Sequence, residues 1–232
     1  ARTADVQGMC TYEDLVDATL PFGLMPHVVP QLKTITLGGA VTGLGIEATS
    51  FALGLPHESV LEMDILTGTG DIVRASEDEH LDLFRAFPNS YGTLGYSVRL
   101  KIELEAVKPF VSLRHLRFHS VPDLIDAMDR IIETGGLHGD RVDYLDGVVF
   151  SADESYLCVG IQTGTPGPVS DYTGSDVYYR SIQHSDGEKY DRLTIHDYLW
   201  RWDTDWFWCS RAFGAQNPRI RRWWPRRYRR SS

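Results

Sequence analysis

Residues 36–48 read Thr-Leu-Gly-Gly-Ala-Val-Thr-Gly-Leu-Gly-Ile-Glu-Ala, with four glycines in the eight residues from Gly38 to Gly45. Glycine allows a close approach between backbone and ligand, and consecutive peptide N–H groups suit a pyrophosphate. The spacing is neither a Rossmann fingerprint nor a P-loop. We expect a loop here, with a short strand before it and a short helix after it. A flexible turn in a tightly packed sheet is the alternative interpretation.

The segments on either side of this stretch predict an α+β fold with mostly antiparallel strands. Residues 4–8 form an expected strand, and Thr11 is the expected N-cap of a helix with acids in its first turn. Residues 60–67 and 72–74 predict a hairpin. A short helix is expected over about 80–86. Alternation then predicts a half-buried strand with four inward apolar residues, which are Val98, Leu100, Ile102 and Leu104.

Lys108-Pro109 is the predicted boundary between this part and a second part. The second part is expected to be a β-α-β-β unit with an irregular tail. Its amphipathic helix places Leu124, Ile125, Met128, Ile131 and Ile132 on one face. The expected elements cover residues 111–118 (strand), 122–134 (helix), 142–150 and 156–161 (strands), and a last helix from about 194.

The composition is that of an ordinary globular protein, with 232 residues, of which 42% are hydrophobic and 24% charged. It excludes a disordered, collagen-like or disulfide-dense protein. Three cysteines lie far apart without metal-ligand spacing, so we expect a reducing cytoplasm, no secretion and no metal. The sequence has no initiator Met and opens within an apparent strand. We therefore expect a fragment cut at both ends.

Charge and tryptophan are unevenly distributed. The formal net charge is −9, and seven arginines in residues 219–232 leave −16 for the rest. All six tryptophans lie in the last 33 residues. An acidic body opposes nucleic-acid binding. Peripheral membrane contact is one interpretation of the basic, aromatic tail, and a solvated or partner-facing stretch is the other.

The order of the motifs resembles the PCMH-type (vanillyl-alcohol-oxidase-like) FAD-binding domain of flavoproteins. The residues that carry this resemblance are Gly-Gly-x-x-x-Gly-x-Gly-Ile-Glu from Gly38 to Glu47, Asp82-Leu83-Phe84, and Gly92-Thr93-Leu94-Gly95. Within that superfamily the sequence also resembles the Δ24-sterol reductases, the diminuto-like group. Asn217-Pro218, which follows Tyr198 and Arg201, is similar to that group as well.

The resemblance implies the C-terminal part of an FAD-binding domain over residues 1–108 and a truncated cap or substrate region over 109–232. It implies FAD as cofactor and NADPH as electron donor. We expect only weak affinity for FAD, because such proteins carry another phosphate loop in a preceding segment. The implied cofactor-binding residues are Thr36, Leu37, Gly38, Gly39, Ala40, Val41, Thr42, Gly43, Leu44, Gly45, Ile46, Glu47, Ala48, Gly92, Thr93 and Gly95.

Reduction of an isolated alkene by a flavin needs a hydride and a proton from a general acid. Glu47, Tyr198 and Arg201 are the candidate catalytic residues. The alternative for Glu47 is a capping or supporting role, and the alternative for Tyr198 and Arg201 is a packed helix with an exposed arginine. Four histidines without identifiable carboxylate partners are expected to be structural, and these are His57, His115, His119 and His196.

The resemblance thus implies an FAD-dependent oxidoreductase that reduces a C=C bond in the side chain of a sterol-like lipid. One alternative is an FAD-linked oxidase that acts on a different hydroxylated substrate with O₂ as acceptor. Another is a non-catalytic fragment whose tail contacts a membrane or a partner.

Overall fold

A computed structural model describes residues 2–173, 176–185, 187–203, 214 and 217–223. The protein divides into two compact units, residues 1–107 and 108–232. Both contain helices and antiparallel sheets, so the predicted α+β class is confirmed. No helix among the described residues has the length and apolar character needed to cross a membrane.

Unit 1 (residues 1–107) is built on one antiparallel sheet. Its elements are β1 (Thr3–Gln7), α1 (Tyr12–Thr19), β2 (Leu24–Pro26), α2 (Leu37–Gly43), α3 (Ser50–Leu53), β3 (Val60–Leu66), β4 (Ile72–Ser76), α4 (Leu81–Ala86) and β5 (Tyr96–Ala106). The long β5 lies inside the sheet, whose order is β1-β5-β3-β4, and β2 pairs with the C-terminal end of β5. The predicted first strand, capped helix and β3–β4 hairpin are confirmed.

The predicted alternation along β5 is wrong at one residue, Val98, which is 38% exposed. Asp64 of β3 pairs with Arg99, but the next residue, Ile65, pairs with Ser97, so that Val98 is skipped in the register. This bulge reverses the two faces of the strand beyond it. Ser97 is consequently buried where the pattern predicted a polar outward position.

Unit 2 (residues 108–232) is built on a second antiparallel sheet, with the order β11-β6-β10-β9. Its elements are β6 (Phe110–Phe118), α5 (Val121–Thr134), β7 (Gly136–Leu137), β8 (Asp140–Arg141), β9 (Tyr144–Ser151), β10 (Glu154–Thr163), α6 (Tyr178–Ile182), β11 (Glu188–Thr194), α7 (Ile195–Leu199) and α8 (Pro218–Arg221). The predicted β-α-β-β core is present. The edge strand β11 is an addition that the sequence pattern missed.

The apolar face of α5 is narrower than predicted. Leu124 and Ile131 are buried, whereas Ile125 and Ile132 are exposed.

The ends of α5 lie where the sequence predicted them, at Pro122 and at the glycine pair 135–136. The side chain of Ser120 caps the first turn by accepting the Asp123 N–H, and Gly135 ends the helix in the left-handed region with φ 65°.

Part of the predicted tail lies outside the described residues, including Cys209, three tryptophans and four of the seven arginines. Within the described residues Trp200 and Trp202 are buried, and Trp223 is exposed.

Candidate functional site

The glycine-rich segment of unit 1 is a helix rather than the predicted loop. Residues Leu37–Gly43 form α2, and the Oγ1 of the N-cap Thr36 accepts the N–H of Gly39 at 3.2 Å. The strand expected before it is not formed, since Thr36 makes only an isolated bridge with Thr11. The helix after the glycines, α3, begins only at Ser50.

The first N–H groups of α2 are engaged within the protein. Leu37 N donates to the Cys10 carbonyl and Gly38 N to the Gly8 carbonyl, both at 2.9 Å, and Gly39 N is held by the N-cap hydroxyl. The N-terminus of a helix binds an anion through N–H groups that have no other partner. These three N–H groups therefore already have partners within the protein, and the cofactor-binding role implied for residues 36–39 stays a prediction.

Three glycines of unit 1 are required by packing. A Cβ on Gly38 would lie 2.6 Å from the Ser97 Oγ, and one on Gly8 would lie 1.8 Å from the Ser97 carbonyl oxygen. Gly95 has φ 130°, and a Cβ there would lie 2.3 Å from the Leu66 carbonyl oxygen. Gly8 and Gly38 let the β1 end and α2 approach β5 closely, and Gly95 lets the turn before β5 approach β3, which is the packing role of the alternative interpretation.

Three glycines of the two glycine motifs face open space. A Cβ on Gly43 would meet nothing within 4 Å, one on Gly45 would touch only the Pro56 Cγ at 4.0 Å, and one on Gly92 only the Tyr96 ring at 3.9 Å. Packing within the protein therefore does not require glycine at positions 43 and 45, whereas Gly92 has φ 79°, a conformation that favours glycine. All three positions leave backbone that a ligand can approach.

The structure brings the two glycine motifs together. Tyr91 N donates to the Thr42 carbonyl at 3.1 Å, and Asn89 N donates to the Val41 carbonyl at 3.4 Å, so the 89–95 turn is joined to the C-terminal end of α2. Thr93 is held within this turn by its hydroxyl, which donates to the Ser90 carbonyl at 2.7 Å. We call residues 42–46 and 91–96 the glycine surface.

Three non-glycine residues in or next to the glycine surface have positive φ values, which such residues rarely adopt. Leu44, Asn89 and Tyr91 have φ values of 54°, 59° and 49°. Such residues cost about 1–3 kcal/mol each and cluster at ligand-binding sites. These conformations, together with the open glycines, make this surface the candidate site.

Glu47 borders the glycine surface and supports a neighbouring loop. Its Oε1 accepts the Gln31 N–H at 3.2 Å, and its own N–H donates to the Ser50 Oγ at 3.0 Å. Burial and the negative charge of Glu47 raise the pKa of the Tyr12 phenol. These contacts are those of the supporting role that the sequence left as the alternative.

Tyr198 and Arg201, the other two candidates, lie together in a buried cluster of unit 2. Arg201 is only 4% exposed, so an exposed arginine at this position is excluded. Its Nη2 donates to the Asp146 Oδ2 at 2.5 Å and its Nη1 to the Tyr198 carbonyl at 2.7 Å. The guanidinium also lies 3.9 Å from the centre of the Tyr198 ring, a cation–π contact.

The electrostatics of this cluster keep both groups protonated. Burial alone would lower the pKa of the Arg201 guanidinium, but Tyr198 and the Asp146 carboxylate raise it. Burial raises the pKa of the Tyr198 phenol well above its ordinary value. The geometry and the charges are those of a cross-link between α7 and the β9 strand.

His115, which was expected to be structural, is fully buried in β6 of the same unit. Its Nε2 lies 3.0 Å from the Tyr178 hydroxyl. Burial, chiefly, lowers its pKa to about 4. No cluster of three or more His, Cys, Asp or Glu side chains that could hold a metal occurs among the described residues.

Two comparisons with known proteins bear on the site. Residues 1–76, which include α2 and the open Gly43 and Gly45, match the family described as FAD binding domain. The chain is 33% identical over 162 residues to a Delta(24)-sterol reductase of Arabidopsis thaliana, and this covers 68% of the chain and 29% of that protein. It is 30% identical over 138 residues to the Mus musculus Delta(24)-sterol reductase, covering 59% of the chain and 25% of that protein.

A second kind of relative is also similar. Cytokinin dehydrogenase 5 of Arabidopsis thaliana is 30% identical over 146 residues, which cover 62% of the chain and 26% of that protein. In each case the chain spans less than a third of the relative's length. The domain match and both groups of relatives agree with the glycine motifs and with the α+β fold. Residues 1–76 therefore belong to the FAD binding domain family, which is the PCMH-type domain that the sequence motifs resemble.

Proposed function

We propose that this protein is part of an oxidoreductase that binds FAD at the glycine surface and reduces a C=C bond in the side chain of a sterol-like lipid. The observation that carries the cofactor site is the group of open glycines, Gly43, Gly45 and Gly92, on one strained surface of unit 1. Residues 42–46 and 91–96 would hold FAD. The similarity to Delta(24)-sterol reductases supports the substrate class.

When bound, FAD supplies hydride transfer. Saturation of the alkene takes one hydride at one carbon and one proton at the other, and NADPH is the proposed source of the two electrons. The glycine surface would bind and orient the cofactor through its backbone. The catalytic roles of Glu47 and Tyr198 as proton donors, and of Arg201 in holding a polar group, stay predictions, and the observed contacts of all three are structural.

The second candidate function is FAD-linked oxidation of a different hydroxylated substrate with O₂ as acceptor. The similarity to cytokinin dehydrogenases favours oxidation of the substrate over its reduction, because these relatives match the chain at an identity close to that of the sterol reductases. The cofactor site would be the same in both functions. The reductase would pass electrons from the flavin to the substrate, whereas the oxidase would pass electrons from the substrate to the flavin.

Stopped-flow spectroscopy of the protein with FAD separates the two functions. We expect NADPH to reduce the flavin without oxygen, and an unsaturated sterol, with its C=C bond outside the ring system, to reoxidise it faster than the saturated analogue does. Reoxidation by O₂ alone, with no effect of the alkene, would favour the oxidase. A protein that is indifferent to FAD would contradict both and leave the non-catalytic alternative.

The proposed location follows from the proposed substrate. A sterol-like lipid partitions into bilayers, so we propose a cytoplasmic protein whose basic, aromatic tail contacts the membrane surface. Co-sedimentation of the protein with anionic vesicles, compared with a variant in which the seven arginines of residues 219–232 are replaced by Gln, tests this. Equal sedimentation of both would contradict it.

A further inference from the structure

Two tyrosine side chains of the glycine surface are unusually exposed. Tyr91 is 74% exposed and Tyr96 is 72% exposed. Tyr91 precedes Gly92 in the sequence, and the Tyr96 ring is the nearest group to a Cβ placed on Gly92. The surface therefore combines bare backbone with two aromatic rings.

The backbones that carry these rings are fixed. Tyr96 is the first residue of β5 and pairs with Leu66 of β3. Tyr91 has φ 49°, and its N–H donates to the Thr42 carbonyl at the end of α2 at 3.1 Å. The Tyr96 ring would lie 3.9 Å from a Cβ placed on Gly92. The backbones of both tyrosines are thus ordered, while their side chains lie largely in solvent.

The exposed positions of the Tyr91 and Tyr96 rings are not accounted for by a hydrogen bond of either hydroxyl. Across the described ranges of the sequence, the hydroxyls of Tyr91 and Tyr96 make no hydrogen bond with another residue. Tyr190, an exposed tyrosine of unit 2, differs: its hydroxyl donates to the Glu188 Oε2 at 2.6 Å, and the Arg114 guanidinium lies 5.7 Å from its ring centre. The rings of Tyr91 and Tyr96 therefore offer their apolar faces to something outside unit 1.

We propose that Tyr91 and Tyr96 form an aromatic platform on which a flat ring of the FAD dinucleotide stacks. The proposal rests on FAD binding at the glycine surface and adds the residues that recognise the ring. Offset stacking of aromatic rings is favourable, and an aromatic ring buries a large apolar area on contact. The open glycines would let the rest of the dinucleotide lie along the backbone beside the rings.

The flat ring is the isoalloxazine or the adenine. Both are planar aromatic rings that can stack on the face of a tyrosine. FMN carries the first ring without the second, and ADP carries the second without the first. Titration with each of these two probes therefore identifies the ring.

The test is an FAD titration of the 232-residue chain and four variants, followed by flavin fluorescence and by calorimetry. The variants are Y91L, Y96L, Y96F and, as a matched control on an exposed tyrosine elsewhere, Y190L. Stacking of a base on an aromatic side chain is worth about 1–3 kcal/mol. With about 1.4 kcal/mol per tenfold, we expect Y91L and Y96L each to raise the dissociation constant about tenfold.

Y96F keeps the ring and removes only the hydroxyl, so it should bind FAD as the unchanged protein does. Y190L should also bind normally. The weakening by Y96L should recur with FMN or with ADP, but not with both. Thermal unfolding of each variant checks that these exposed substitutions leave the fold intact.

Unchanged FAD affinity in both Y91L and Y96L would overturn the platform while leaving FAD binding in place. Equal weakening by Y96F and Y96L would also overturn it, because the hydroxyl rather than the ring face would then be the contact. No FAD binding by the unchanged protein would contradict the proposed function as well.

Discussion

At the scale of single residues, Arg201 shows how a buried charge is stabilised by distant parts of the sequence. Its guanidinium is paired with Asp146, which is 55 residues away. The sequence made Arg201 a candidate catalytic residue, with an exposed arginine on a packed helix as the alternative, because no local pattern reveals a partner at that separation. The sequence shows which residues neighbour Tyr198 along the chain, but it does not show that Tyr198 and Arg201 are buried.

Replacement of Asp146 by Ala should destabilise unit 2 strongly. The change leaves the Arg201 charge buried without its carboxylate, which typically costs about 3–5 kcal/mol. The matched control is Asp140→Ala, which removes the exposed carboxylate that pairs with Arg114 at 2.7 Å and should cost about 1 kcal/mol or less. Urea unfolding measures both. Equal effects of the two substitutions would contradict the buried ion pair.

His115 should make stability depend on pH between about 4 and 6.5. Its pKa is about 4 in the folded protein, below the ordinary 6.5, so that the unfolded state binds a proton that the native state does not. Stability is then full above pH 6.5 and falls as the pH drops towards 4. Between pH 7 and pH 5 this residue should account for a loss of about 2 kcal/mol.

Urea unfolding at the two pH values, on the unchanged protein and on His115→Gln, measures this effect. The glutamine does not titrate, so the variant should lose about 2 kcal/mol less over the interval than the unchanged protein. An identical loss in both proteins would show that His115 titrates normally.

At the scale of elements, the glycines of α2 and of the turn before β5 fall into two classes, one that cannot accept a side chain and one that can. The sequence identified the segment by its composition. It did not identify the helix, because the helix depends on carbonyls of Gly8 and Cys10 that satisfy its first N–H groups. It also did not separate the packed glycines from the open ones, since that distinction depends on which backbone atoms lie nearby.

Gly95→Ala should unfold unit 1, whereas Gly43→Ala should leave its stability unchanged or higher. A Cβ on Gly95 would lie 2.3 Å from a backbone oxygen at a φ of 130°, while Gly43 is a helical residue facing open space. Alanine is favoured over glycine inside a helix by about 1 kcal/mol. Thermal unfolding measures both substitutions. Comparable melting temperatures for the two variants would contradict this division.

At the scale of the whole molecule, the sequence predicted the α+β class and the strands and helices with strong periodicity. It missed β11, whose residues Glu188–Thr194 are mostly charged or polar and bury only one side chain fully, Leu193. A polar edge strand has no hydrophobic alternation that a sequence pattern could detect. Its extended conformation is held by backbone pairing with β6. The bulge at Val98 was missed for a related reason, because strand register is set by the partner strand.

The central claim is that FAD binds at the C-terminal end of α2 and the 91–96 turn rather than at the N-terminus of α2. Amide chemical-shift mapping of the isotope-labelled protein during an FAD titration tests it most directly. We predict the largest changes at residues 42–46 and 91–96, with small changes at residues 37–39, whose N–H groups are already bonded. Largest changes at residues 37–39, or no change in unit 1, would contradict the account.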